Sequence, residues 1–415
     1  MRVEKLISAT VIGLLALATK GEAFTLIKAP VTAADWTNGE FYSGGNAPTG
    51  SSTDIISTSV SHGLDITIDG ASTDFPAITN FLSSISSFQY GAATIRINVP
   101  EGQTMTLTRP FYSSVNVEKE IGIVYKTGAG ELVLDSCRLL NPGSTSAWDH
   151  QGDWRVMEGT LRIQPHAPND TGYWWMMDYN YVAAGAKIVV PATGESGAWQ
   201  ILEVEGAGLV TNESTTISRI YKNESRRKDL SSFSGVLGAN IQFYARSCAM
   251  DLQGTANRAV ITTGTTNGKD YSGTLYLRKL GNVADAESSM GPGSAELPQR
   301  FVYTGLGETC DRKPNVHYLD TLVSGGTNGN LRLTGAIASH WSTERRHNAI
   351  VFAGDNLHPC WFESAIDRWS TDSETRFWDV YIEKTGKGQW NLEHKYSTTA
   401  ATVAIKDGVL GCGLL

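Results

Sequence analysis

The chain has 415 residues, of which 18% are charged and 41% hydrophobic, and its formal net charge of −8 is spread along the length. Without a basic block, that charge excludes binding to nucleic-acid phosphates or anionic lipid by electrostatics alone. Its 43 glycines against 13 prolines, with Ser, Thr and Asn between short apolar runs, suit many short strands joined by turns.

The first 23 residues have a cationic start at Arg2 and Lys5, an apolar stretch from Leu6 to Ala18, and a polar end, Lys20-Gly21-Glu22-Ala23. Gly21 and Ala23 place small side chains where a signal peptidase reads, so cleavage before Phe24 is expected. A membrane anchor is the rival reading, but the run falls short of the ~20 apolar residues a span needs and is interrupted by Ser8 and Thr10.

Leu64, Ile66 and Ile68 alternate with polar residues, as do Ile95, Ile97 and Val99, and then Met105 and Leu107. Period two means strands with one buried face. Between the first two runs, Phe75, Ile78, Phe81, Leu82, Ile85 and Phe88 fall near helical spacing. Asp74 stands where a cap would, Pro76 is in the first turn and Gly91 follows, which predicts one short helix.

Two segments further on share one pattern. Lys126-Thr127-Gly128-Ala129-Gly130-Glu131-Leu132-Val133-Leu134 is followed by Val156-Met157-Glu158-Gly159-Thr160-Leu161, after a polar insertion at Asn141 to Gln151. Lys384-Thr385-Gly386-Lys387-Gly388-Gln389-Trp390-Asn391-Leu392 is followed by Ile405-Lys406-Asp407-Gly408-Val409-Leu410. Each copy is a glycine turn, an alternating strand, a second strand and another glycine turn, the length of one solenoid coil. Weaker echoes stand at Gly185 to Val190, Gly273 to Leu277 and Gly329 to Gly335.

Both copies resemble the autotransporter-associated β-strand repeat, G-x-G-x-L-x-L, then T-x-V, then x-x-G-x-L. Gly386, Gly388, Trp390 and Leu392 fill its first part, Thr402 and Val403 its middle strand, and Gly408 with Leu410 its end. Trp390 departs from the usual leucine. The resemblance implies an all-β chain, a right-handed parallel β-helix (β-solenoid) with loop insertions, to which the sequence adds one short helix near the N-terminus. It also implies a secreted or surface-displayed passenger, structural or adhesive, associated with the bacterial outer membrane.

The expected organisation is a signal peptide over 1–23, a cap and first coils over 24–120, and a β-helix with irregular insertions over 121–415 that stops mid-solenoid. A passenger normally ends in a membrane barrel, so a truncated product, or a translocator on another polypeptide, is expected. The partners expected are a glycan or host-surface ligand and that translocator, with no nucleic acid and no cofactor or metal.

For chemistry, some β-helices degrade polysaccharides with two carboxylates about 5–10 Å apart. Here Asp and Glu are scattered singly, so no catalysis is expected, and a polysaccharide hydrolase or lyase is the alternative. The densest polar group, His340-Trp341-Ser342-Thr343-Glu344-Arg345-Arg346-His347, reads first as a solvated loop between strands, and otherwise as acid-base and carboxylate-binding groups for an acidic sugar. The most aromatic run, Tyr173-Trp174-Trp175-Met176-Met177-Asp178-Tyr179-Asn180-Tyr181, offers Tyr173, Trp174, Trp175 and Tyr179 as glycan- or partner-binding rings; the alternative is that they cover the solenoid's side. Cys137, Cys248, Cys310, Cys360 and Cys412 have no C-x-x-C spacing; Cys310 with Cys360 is the nearest candidate pair for an oxidising compartment. Asn-x-Ser/Thr triplets at Asn169, Asn212 and Asn223 read as chance occurrences.

Overall fold

The computed structural model describes residues 23–58, 64–89, 91–109, 111–112, 122–135, 152–164, 173–175, 179–192, 198–201, 203–222, 230–245, 248–262, 273–292, 294–316, 321–339, 348–363, 380–393 and 401–412. They form a parallel β-helix with one α-helix, the expected all-β class. Contacts divide the chain into two compact units, Met1–Arg155 with Gly159–Pro168, and Val156–Glu158 with Asn169–Leu415.

In the first unit the alternating runs become Asp65–Asp69, Thr94–Asn98 and Ile123–Thr127, stacked parallel and in register. Every second side chain enters the core: Ile66 lies on Ile95 and Val124, all 0% exposed. Burying one such side chain contributes about 1.5–3 kcal/mol, and a one-residue slip would turn every one of them outward. A second stack is Thr104–Leu107, Glu131–Leu134 and Thr160–Ile163. A third starts with Ala23–Leu26, Ile55–Thr58 and Ser87–Gln89.

The helix is Phe75–Ser84, shorter than the apolar spacing suggests. Ile85 is already extended, and Phe88 is taken by strand Ser87–Gln89, in register with Ile56 and with its ring 5.9 Å from Trp36. Asp74 makes no side-chain cap; its Oδ2 accepts instead from the Ala33 amide at 3.1 Å. Tertiary pairing has outweighed local helical preference.

In the second unit one sheet runs ten strands deep, from Tyr179–Val182 to Ala401–Ile405. Both strands of the second repeat copy lie where the pattern puts them, at Gln389–Leu392 and Ala401–Ile405, the residues after Gly408 open a further strand, Val409–Cys412, and the echoes are strands too, at Lys187–Val189, Thr274–Leu277 and Leu331–Leu333. Trp390 fits its inward position because Gly325 lies beside it: a Cβ there would meet Cys360 Sγ at 2.5 Å and the indole at 3.4 Å. The indole Nε1 donates to the Ala353 carbonyl at 2.9 Å.

The lysine that opens each repeat copy occupies a core position. Ile68, Ile97 and Lys126 form one inward ladder at 1, 0 and 0% exposure. Met250, Leu275, Phe301, Val323, Phe352 and Lys384 form another, none above 1%. A buried ammonium is tolerated only where acceptors replace its water. Lys126 Nζ donates to the carbonyls of Gly128 and Gly130, and Lys384 Nζ to those of Thr385 and Gly386, both at 2.6 Å, and of Asp407 at 3.3 Å. Gly159 and Gly408 sit over these ammonium groups with φ of 64° and 74°. A Cβ on them would come within 2.6 and 2.7 Å of Nζ. The pattern Lys-Thr-Gly-x-Gly with a distant glycine is therefore a corner closed by a cation.

Arg312, 0% exposed, closes another corner by donating to the carbonyls of Leu280, Gly281, Asn282 and Ser294. Burial lowers the pKa of both Lys384 and Arg312. Among the described residues no helix is long and apolar enough to cross a membrane, which says nothing of a β-barrel.

Candidate functional site

Of the aromatic residues singled out in the sequence, Tyr173, Trp174 and Trp175 form strand Tyr173–Trp175, in register with Ala198, Trp199 and Gln200. Tyr179 opens the next strand and is only 4% exposed, so its ring belongs to the buried set and adds little to an exposed platform. The segment His340 to His347, with Glu344, Arg345 and Arg346, lies outside the described residues, as do Cys137, Asn169 and Asn223. Asn212 is 5% exposed and its amide donates inward to the carbonyls of Thr216, at 2.6 Å, and Asn240, which leaves it no room for a glycan.

The proposed Cys310–Cys360 pair does not form. Both are free thiols, as are Cys248 and Cys412. Cys310 is in register with Leu333, and Leu333 with Phe362, which puts Cys360 two strands away and two residues along. Two strand spacings alone are about 9.6 Å, beyond the ~6.8 Å Cα limit of a disulfide. Burial pushes the Cys310 thiol up to about 12 and also raises that of Cys360.

The register assembles a set of side chains that sequence order scatters. On the outward face of the deep sheet, Tyr181 is in register with Glu205. The next pairing, Gly206 with Phe233, aligns Glu205 with Ser232; Ser232 is in register with Asp251, and Asp251 with Tyr276. Their inward neighbours Val182, Val204, Phe233, Met250 and Leu275 are core residues, so the pleat turns Tyr181, Glu205, Ser232, Asp251 and Tyr276 to the outside. Four strand spacings carry this ladder about 19 Å along the stack. The two carboxylates are separated by Ser232, hence by about 9.6 Å between backbones.

Tyr181 is 37% exposed, and neither its side chain nor that of Tyr276 has a hydrogen bond or ring neighbour among the described residues. Asp251 Oδ2 accepts from Gln253 Nε2 at 2.8 Å, whereas its Oδ1 is shielded from water and has no donor. A shielded acceptor without a partner costs about 1–3 kcal/mol; closed to water, Oδ1 is equally closed to a ligand hydroxyl, and Oδ2 is the oxygen of Asp251 that faces solvent.

The corresponding ladder of the first unit is already satisfied. Thr67, Arg96 and Tyr125 are in register, the Arg96 guanidinium lies 4.8 Å from the Tyr125 ring, and Arg155 lies 5.6 Å from it. Arg96 also pairs with Asp65 at 3.2 Å and Arg155 with Asp153 at 3.0 Å. Its tyrosine face is covered by its own cations, whereas no described residue covers the faces of Tyr181 and Tyr276.

Among the described residues no group of three or more His, Cys, Asp or Glu is placed to hold a metal. No family model, no curated protein and no solved structure matches the chain. Glu205, Ser232, Asp251 and Tyr276 escape a reading of the sequence because their proximity comes from register across four coils, and irregular loop lengths hide the register.

Proposed function

We propose that this chain is an exported structural and adhesive β-solenoid of the autotransporter-passenger type, displayed at or released from a bacterial surface. The observation that carries the adhesive part is the outward ladder of the deep sheet, where the side chains of Tyr181 and Tyr276 have no partner among the described residues. Export is supported by the signal-like start, and Phe24, the residue that cleavage would expose, is buried at 5% and already part of the first strand. A membrane translocator is the partner this reading requires. The test is a glycan array together with a cell-adhesion assay on the chain from Phe24 onward; blank results in both remove the adhesive function.

One observation favours a second reading, polysaccharide hydrolysis. The backbones of Glu205 and Asp251 lie two strand spacings, about 9.6 Å, apart, near the 6.5–9.5 Å that separates the carboxyl groups of inverting glycosidases. Release of reducing ends from a polysaccharide, abolished by Asp251→Asn, would establish it.

A further inference from the structure

We infer that the ladder Tyr181, Glu205, Ser232, Asp251 and Tyr276 is a binding site for an uncharged polysaccharide running across the strands. The inference rests on the adhesive reading above and names its ligand class and its residues.

Three features point to this ligand. First, two tyrosines without a partner among the described residues stand at the ends of the ladder. Aromatic faces bind the C–H faces of sugar rings, and tyrosine suits a site that is half apolar and half wet. Second, the groups between the rings are Glu205, Ser232 and Asp251, hydrogen-bond acceptors and one hydroxyl, which match a ligand made of hydroxyl donors. Asp251 takes part through Oδ2, whose hydrogen bond with Gln253 is exposed. Third, strands follow one another every ~4.8 Å, close to the advance per residue of an extended sugar chain, so successive coils meet successive sugars.

Charge narrows the class. Glu205 and Asp251, on either side of Ser232, make the face acidic and disfavour uronates and sulfated sugars.

The test uses the chain from Phe24 onward in calorimetric titration with dextran, mannan and a soluble β-glucan as neutral polymers, polygalacturonate as a polyanion and chitosan as a polycation. The expected result is binding to at least one neutral polymer and none to polygalacturonate. The double variant Tyr181→Ala/Tyr276→Ala is expected to weaken that binding about tenfold or more, at about 0.5–1.5 kcal/mol per ring. Asp251→Asn weakens it too, whereas Tyr125→Ala, on the covered ladder, leaves it unchanged. Circular dichroism of each variant reports whether the stack is intact.

Preference for polygalacturonate or chitosan would overturn the ligand class. Neutral binding that survives all the ladder variants would overturn the site and leave the adhesive reading standing. Attachment to cells without binding to any polymer would overturn this inference alone, and failure of both would remove the adhesive reading with it.

Discussion

Replacing Lys384 by Met keeps the length and apolar stem of the side chain and removes only its ammonium. In the folded chain that leaves the carbonyls of Thr385, Gly386 and Asp407 without their cationic donor, in a place where Lys384 is 0% exposed. Hydrogen bonds to a charged group contribute about 1.5–3 kcal/mol each, so the gross loss is about 5–9 kcal/mol. Several kcal/mol return because the ammonium no longer has to be stripped of water, and the expected net destabilisation is about 3 kcal/mol.

In a solenoid each coil contacts only its neighbours, so the effect should be concentrated in the coils around Lys384. Hydrogen exchange of the Val380–Lys384 and Ala401–Ile405 peptides is the appropriate assay, with urea denaturation beside it. Lys406→Met is the control: that lysine is 61% exposed and paired with Glu383 at 2.8 Å, and losing such a surface pair costs about 0–1 kcal/mol.

The pH dependence has a definite sign. Burial lowers the folded pKa of Lys384 below the ordinary 10.5, so the unfolded chain holds this proton more tightly. The lysine's contribution to stability therefore rises with pH between its folded value and 10.5, and that slope vanishes in Lys384→Met. If Lys384→Met lay within 1 kcal/mol of its Lys406→Met control, the cation-closed corner would be wrong.

Other outcomes follow from the same packing. In a Cys137→Ser background at pH 8, native alkylation should label Cys412 alone, because Cys248, Cys310 and Cys360 are buried and the Cys310 thiol titrates only at about 12; rapid labelling of Cys310 would refute this. Trp390→Leu should cost about 2–4 kcal/mol in urea unfolding through the lost Ala353 hydrogen bond and the cavity beside Gly325; an unchanged midpoint would contradict it. Gly408→Ala should be less stable than wild type, since the residue has φ of 74° and its new methyl would press on Lys384 Nζ. Mass spectrometry of the exported chain should give an N-terminus at Phe24; an uncleaved Met1 start would remove the signal-peptide reading.

Much of the architecture is legible in the residues themselves. Ile66, Ile68, Ile95 and Ile97 announce strands by alternation, and the two glycine-framed copies announce coils, because both patterns are local. The helix end is not legible, since Ile85 and Phe88 suit a helix face as well as the strand that claims Phe88. The two lysines are part of the repeated pattern, yet a lysine beside a glycine turn reads as a solvated one until the carbonyls converging on it are seen. Glu205 and Asp251 are single acids in sequence and neighbours only through the coil between them. The Cys310–Cys360 pairing fails for the same reason in reverse: closeness along the chain says nothing about which strand each residue joins.

The most direct test of the adhesive account is hydrogen exchange of the chain from Phe24 onward, with and without a neutral polysaccharide that it binds. Strands Tyr179–Val182, Glu203–Gly206, Ala249–Leu252 and Thr274–Leu277 should gain protection together on adding the polymer, while Thr94–Asn98 and Ile123–Thr127 stay unchanged. Protection confined to other strands, or absent altogether at saturating polymer, would contradict the assignment of this face.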